Sequence, residues 1–220
     1  MSLVTLSASY GAGGSRVGPA LAQRLGVPFV DRLIPSEVAA RLAVPLNSAL
    51  AHLESGASGL MARLLMSLGP ITQEYGVGAP VADVAEDRCF RETTEQIIHE
   101  RAESGCGVIL GRAAALVLRD DPKALHVRLD GPRDARLRQA MRLEGIERDG
   151  AERRMKETDR ARYAYVRRLT GADARNPSHY HLVINSTAVD IAACVEIIAL
   201  AAESRSPVVA PAEARIAAAE

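Results

Sequence analysis

Ser7-Ala8-Ser9-Tyr10-Gly11-Ala12-Gly13-Gly14-Ser15-Arg16 lies between a short apolar run and an amphipathic segment near the start of the chain. A glycine-rich turn in that setting reads as a phosphate-binding loop. Successive backbone N–H groups and the start of the following helix make an anion site there, whatever the side chains are. The standard form is G-x-x-x-x-G-K-[ST], in which lysine reaches the β- and γ-phosphates and the hydroxyl holds Mg²⁺. Laid on residues 8–15, the pattern keeps Gly13 and Ser15 but has Ala8 in place of the first glycine and Gly14 in place of the lysine. The backbone geometry is retained and the charge is missing. A tight strand-to-helix turn that uses glycine only for its conformational freedom is the other reading of the same residues.

Working outward, residues 3–7 are apolar and β-branched, as in a buried strand. Residues 15–25 put Val17, Ala20, Leu21, Ala22 and Leu25 on a helical face, with Pro19 tolerable only near the first turn and Gly26 as the stop. Phe29 and Val30 begin a second strand ending at Asp31-Arg32, followed by a helix over about 36–42. From 45 to 80 the pattern loosens around glycines and an apolar 60–66 segment, which reads as a mobile helical insertion that sets acceptor choice. A longer helix over 81–103 feeds a strand at 107–110, then Gly111-Arg112 turns into a helix over 113–118. A strand at 125–129, helices over about 130–145 and 150–169, a strand at 182–185 and a helix over 189–203 complete the chain before a frayed tail. Short apolar strands alternating with helices predict an α/β domain with a mostly parallel sheet covered on both faces.

Composition narrows the partners. Basic and acidic residues balance at 27 each, so there is no global field for nucleic acid or a membrane surface, and an anionic ligand must be met by a local cluster. Of the basic residues 25 are arginine, and the two lysines are Lys123 and Lys156, so no lysine near the loop in sequence replaces the missing one. Cys89, Cys106 and Cys194 are far apart and read as small buried residues rather than a zinc site or a disulfide framework. The N-terminus lacks a signal-peptide pattern and no apolar stretch is long enough to span a bilayer, so the expectation is a soluble cytoplasmic protein. The apolar 60–66 segment makes a homodimer plausible.

Three constellations carry chemistry. The first is the loop itself, Tyr10 to Ser15, with Arg16 as the nearest cation. The second is Gly111-Arg112 at the carboxyl end of a predicted parallel strand, where open sheets place their ligands and an arginine offers a fork to phosphate. An ion pair with Asp31 or Asp83 is the plainer role for Arg112. The third is the stretch 133–168, which holds eleven arginines beside Asp159. Such a segment can close over a transferring phosphoryl group and neutralise it, or it can be a solvated helix with internal salt bridges. The five histidines are isolated or lack acidic neighbours, and none reads as catalytic or metal-binding.

With these pieces in order, the chain resembles the cytidylate kinase-like family, a branch of the P-loop nucleoside monophosphate kinases. The likeness rests on residues 10–15, Val27-Pro28-Phe29-Val30-Asp31, Val108-Ile109-Leu110-Gly111-Arg112, Asp159-Arg160-Ala161-Arg162-Tyr163 and Tyr180-His181-Leu182-Val183-Ile184-Asn185-Ser186. It implies a three-layer P-loop fold with a five-stranded parallel sheet and a helical lid. One domain over 1–204 would carry the insertion at 45–80 and the arginine-rich lid at 146–170, with a flexible tail over 205–220. It implies that Tyr10, Gly11, Ala12, Gly13, Gly14 and Ser15 hold the ATP phosphates, with Ser15 facing Mg²⁺, and Arg16, by its place on the first turn, is expected to bind the cofactor beside them. Asp31 and Arg112 would lie at the acceptor nucleoside monophosphate, and Arg112, Arg154, Arg160 and Arg162 would be the catalytic arginines. Cytidylate kinases carry the loop lysine and acidic residues beside the arginine corresponding to Arg112, whereas Gly14, Leu110 and Ala113 stand here. Members of this branch share the Gly-Gly form. The expected reaction is ATP-dependent phosphorylation of CMP or dCMP. A catalytically weak nucleotide-binding or anion-binding sensor, and a kinase of another small phosphate acceptor, are the alternatives. Restoring lysine at position 14 is a trial of the loop: increased ATP turnover would indicate P-loop geometry.

Overall fold

A computed structural model describes residues 2–30, 37, 40–42 and 81–205. Asp31, the expected insertion at 45–80 and the tail from 206 lie outside the described residues. Of the helix expected over 36–42, Glu37 and residues 40–42 are described, and they are helical.

Five strands, β1 (Leu3–Ala8), β2 (Phe29–Val30), β3 (Gly107–Leu110), β4 (Ala124–Asp130) and β5 (Leu182–Asn185), form one sheet in the order β2-β3-β1-β4-β5. Every pairing is parallel. β1 is the central strand, with Leu3 in register with Gly107 on one side and Ala124 on the other. A strand flanked on both edges and covered on both faces has no route to water, which is why its first four residues are apolar or β-branched and buried.

Helices α1 (Gly14–Leu25) and α6 (Ile191–Ser204) cover one face. Val17 and Leu21 meet Cys194 and Ile198 over Val4, Leu6, Val127 and Leu129. The other face is closed by α2 (Val81–Glu103), whose Phe90, Ile97 and Ile98 pack with Leu3 and Ile109, and by the short α3 (Ala114–Val117). α3 is shorter than the expected 113–118. Gly111, Arg112 and Ala113 all take left-handed backbone angles, with φ of 73°, 55° and 57°, so the right-handed helix begins only after them. At the other end Asp190 caps α6 by accepting the amide of Ala193 at 2.8 Å, which fixes its start two residues later than expected.

Between β4 and β5 run α4 (Arg133–Glu144) and α5 (Arg148–Thr170). They share a third, small core of Leu137, Ala140, Ala151 and Met155, and the side chain that completes it is Tyr10 of the glycine loop. The arginine-rich helix is therefore anchored to the loop by apolar burial. No described helix is long and apolar enough to cross a membrane.

Candidate functional site

The chain leaves β1 towards β2 on one side and leaves β3 towards β4 on the other. The carboxyl ends of these adjacent strands therefore flank a crevice, the position at which open parallel sheets bind ligands. A cleft of about 1270 Å³ opens there, lined by the glycine loop, the Gly111-Arg112 turn and the inner side of α5.

Gly11 and Gly13 both have left-handed backbones, with φ of 76° and 75°, and the two need glycine for different reasons. A Cβ on Gly11 would stand 2.2 Å from the carbonyl oxygen of Arg136, a collision with backbone. On Gly13 it would make only ordinary contacts, 3.4 Å from Gln139 Nε2, so the constraint there is the backbone angle alone. The Ala12 carbonyl is held from behind by the Ser186 hydroxyl at 2.7 Å, and its amide donates to Ser9 at 3.1 Å. The amides of Gly11, Gly13, Gly14 and Ser15 find no protein acceptor among the described residues. Together with the first turn of α1 they form the donor set that a polyphosphate fits. Ser15, exposed beside them, offers a hydroxyl oxygen of the kind that joins substrate phosphates around Mg²⁺.

Two buried arginines brace the loop. Arg136 on α4 donates through Nη1 to the Tyr10 carbonyl at 2.7 Å and to Asp159 Oδ2 at 2.8 Å, and through Nε to the Gly131 carbonyl at 3.0 Å. The other Asp159 oxygen accepts the Tyr10 amide at 2.7 Å, which ties the middle of α5 to the loop backbone. Arg128 on β4, only 3% exposed, donates to Ser9 Oγ at 2.9 Å, to the Ala174 carbonyl at 2.9 Å and to Asp130 at 2.7 Å. Burial works against the charge of Asp130. The Arg128 hydrogen bonds and charge, with the Gly131 amide, outweigh it and hold the carboxyl below its ordinary range. The Tyr10 phenol donates to Glu144 at 2.8 Å, and burial together with that carboxylate pushes it up to about 12.

Of the residues singled out from sequence, Tyr10, Gly11, Gly13, Gly14, Ser15, Arg16, Arg112 and Arg162 line the one cleft. Ala12 is buried behind the loop. Arg162 reaches the end of β1, where its Nη1 donates to the Ala8 carbonyl at 2.9 Å. Arg154 stands at the edge, paired with Glu144 at 2.9 Å, and Arg160 is exposed on α5 outside the lining. Asp31 lies outside the described residues.

The family model for the cytidylate kinase-like family matches residues 3–188. The chain belongs to that family. Among solved structures, this cytidylate kinase-like protein is similar to an uncharacterised protein from Eubacterium ventriosum, at 19% identity and a TM-score of 0.63, over 93% of this chain and 99% of that one. It is also similar to a shikimate kinase from Bacteroides thetaiotaomicron, at 18% identity and a TM-score of 0.49, over 92% and 98% of the two chains. A gluconokinase from Sinorhizobium meliloti matches at 15% identity and a TM-score of 0.45, over 92% and 94%. At such identities the likeness is one of fold. No curated protein sequence matches this cytidylate kinase-like chain.

The sequence reading of this cytidylate kinase-like protein does not select Arg128, Arg136 or Asp159 as site residues, yet they shape the loop. A signal for the first was present. In β4, His126, Arg128 and Asp130 recur at every second residue, and a strand buried in a parallel sheet should be apolar on both faces. Three polar side chains on one face of such a strand point to a built polar network. Asp159 was marked as the acid beside the α5 arginines, without its bond to the loop, whereas Arg136 carried no comparable mark because it is one charged residue in a helix full of them.

Proposed function

We propose that this protein transfers the terminal phosphoryl group of ATP to a nucleoside monophosphate, CMP or dCMP. The observation that carries the reading is convergence. Loop amides with no protein acceptor among the described residues, the Gly111-Arg112 turn and Arg162 of α5 all face one cleft of about 1270 Å³. A single small ligand typically occupies about 300–1,000 Å³, so the volume suits a donor and an acceptor side by side. When bound, ATP and Mg²⁺ supply the phosphoryl group and much of its charge neutralisation. The chain's own part is positioning and electrostatics. The amides of Gly11, Gly13, Gly14 and Ser15 hold phosphate oxygens, the Ser15 hydroxyl faces the cation, and Arg112 with Asp31 orients the acceptor. Arg162, Arg154 and Arg160 form the set from which α5 meets the developing charge.

A coupled assay with ATP and Mg²⁺ across a panel of nucleoside monophosphates tests this. Turnover highest with CMP or dCMP supports it, and no diphosphate from any acceptor at high protein concentration overturns it. The absence of lysine at position 14, with neutral Leu110 and Ala113 on either side of Gly111-Arg112, favours a second reading: a nucleotide-binding or anion-binding sensor. Calorimetric binding of ATP and CMP without turnover would select the sensor.

A further inference from the structure

Position 14 is closed to lysine by the residue at position 8. A Cβ built on Gly14 would lie 2.6 Å from the Cβ of Ala8, far inside carbon–carbon contact. Ala8 has no side-chain torsion with which to move aside. It ends β1 in register with Leu129 of β4, and it packs against the core beneath α1 and α6. The two departures from the standard loop are thus one exchange. The standard pattern has no Cβ at position 8 and carries lysine at 14, while this chain carries a Cβ at 8 and has none at 14. Lysine placed at 14 alone would meet Ala8, so its accommodation calls for glycine at position 8 as well.

The missing positive charge must come from elsewhere, and the cations around the loop differ in their placement. Arg128 and Arg136 are buried, each paired with a carboxylate and each tied to backbone carbonyls. Lys123 and Lys156 are outside the cleft lining. Arg112, on the turn after β3, and Arg16, on the first turn of α1, also line the cleft. Arg162 is exposed, lines the cleft, and donates to the carbonyl of Ala8, the same residue whose Cβ excludes lysine. A guanidinium carries five N–H donors in one plane, so a bond to that carbonyl is compatible with a two-pronged contact to phosphate oxygens.

We infer that Arg162 takes over the role of the absent loop lysine, so that the phosphate site is complete only while α5 is seated on the loop. Asp159, one helical turn before Arg162, is the positioning residue that seats it, through the Tyr10 amide and Arg136. This inference rests on the nucleotide phosphotransfer reading and adds the source of its charge.

The test measures the affinity for Mg·ATP by calorimetry, with circular dichroism as the check on folding. Wild type is compared with Arg162→Gln, Arg162→Lys, the double change Gly14→Lys/Arg162→Gln, and the triple change Ala8→Gly/Gly14→Lys/Arg162→Gln. Arg162→Gln should weaken binding by roughly thirtyfold, the scale of a lost charge-assisted contact, with Arg162→Lys intermediate. The triple variant should recover affinity to within about threefold of wild type, whereas the double variant, still carrying Ala8, should not. Unchanged affinity in Arg162→Gln would overturn the assignment of the charge. Equal rescue with Ala8 in place would overturn the steric exchange. A wild type that binds no Mg·ATP would overturn the nucleotide reading itself.

Discussion

Asp159 and Tyr10 are 149 residues apart in sequence, yet a carboxylate oxygen of one accepts the backbone amide of the other at 2.7 Å. The second oxygen of Asp159 meets Arg136 at 2.8 Å, and both charged side chains are largely buried. Replacing Asp159 by alanine removes both bonds, and among the described residues the carboxylate left to pair with Arg136 is Asp130, at the longer distance of 3.5 Å. The expected loss is about 2–3 kcal/mol of stability, with Asp159→Asn costing about half as much because an acceptor for the amide remains. Urea unfolding of the three proteins measures this. Equal stability of Asp159→Ala and wild type would show that α5 is not tied to the loop here.

Gly11→Ala should be far more damaging than its one added carbon implies. The methyl would stand 2.2 Å from the Arg136 carbonyl, and the left-handed backbone adds its own cost, so a loss of about 3 kcal/mol or more is expected. Gly150→Ala is the matched control. It lies inside α5 with open space around it and should gain about 0.5–1 kcal/mol. Thermal melts that moved the two variants in the same direction would contradict this account of the loop.

The left-handed run at Gly111, Arg112 and Ala113 predicts a stabilising substitution within the site. Alanine at φ 57° is in a region that costs an L-residue about 1–2 kcal/mol. Ala113→Gly should therefore raise stability, by about 1 kcal/mol after the larger unfolded-state entropy of glycine is counted. A higher urea midpoint at unchanged slope is the expected result, and a lower midpoint would argue against the left-handed turn.

His126 makes stability depend on pH. It is 2% exposed, its Nδ1 is 2.8 Å from the Thr5 hydroxyl oxygen, and its ring stacks on His181 at 4.8 Å. Burial first, and the neighbouring His181 second, push its pKa down from 6.5 to about 4. Folded protein therefore keeps this ring neutral at pH values where unfolded chain protonates it. Its contribution is fully present above about pH 6.5 and is lost as the pH falls towards 4, about 3 kcal/mol in all. Unfolding free energies at pH 7.5, 6 and 4.5 should fall more steeply for wild type than for His126→Asn, by up to one proton in the linkage slope. Equal slopes would count against the assignment.

The order and kind of most elements were legible because burial leaves few choices. The apolar runs at β1 and β3, buried along most of their length, can pack only as strands inside a helix-covered sheet, while β5 at the sheet edge leaves Val183 exposed. The loop was legible as backbone, since Gly11 and Gly13 mark left-handed positions. What could not be read was what depends on three-dimensional placement. That Ala8 faces Gly14, six residues on, requires the curvature of the loop, and that Asp159 rather than another acid meets Tyr10 requires the placement of α5. The boundary at Ala113 was hidden for a local reason, because alanine favours right-handed helix and only tertiary context holds it left-handed.

The contact between positions 8 and 14 also constrains descent. Loops with and without the lysine are two substitutions apart, and the two single-step intermediates are unequal. Alanine facing lysine collides, whereas glycine at both positions is sterically sound but lacks its cation. Of the two orders of exchange, only the one that passes through glycine at both positions avoids the collision. With alanine at position 8, the same contact bars lysine from position 14 by a single substitution, so the standard loop is reached from this one only by changing both residues.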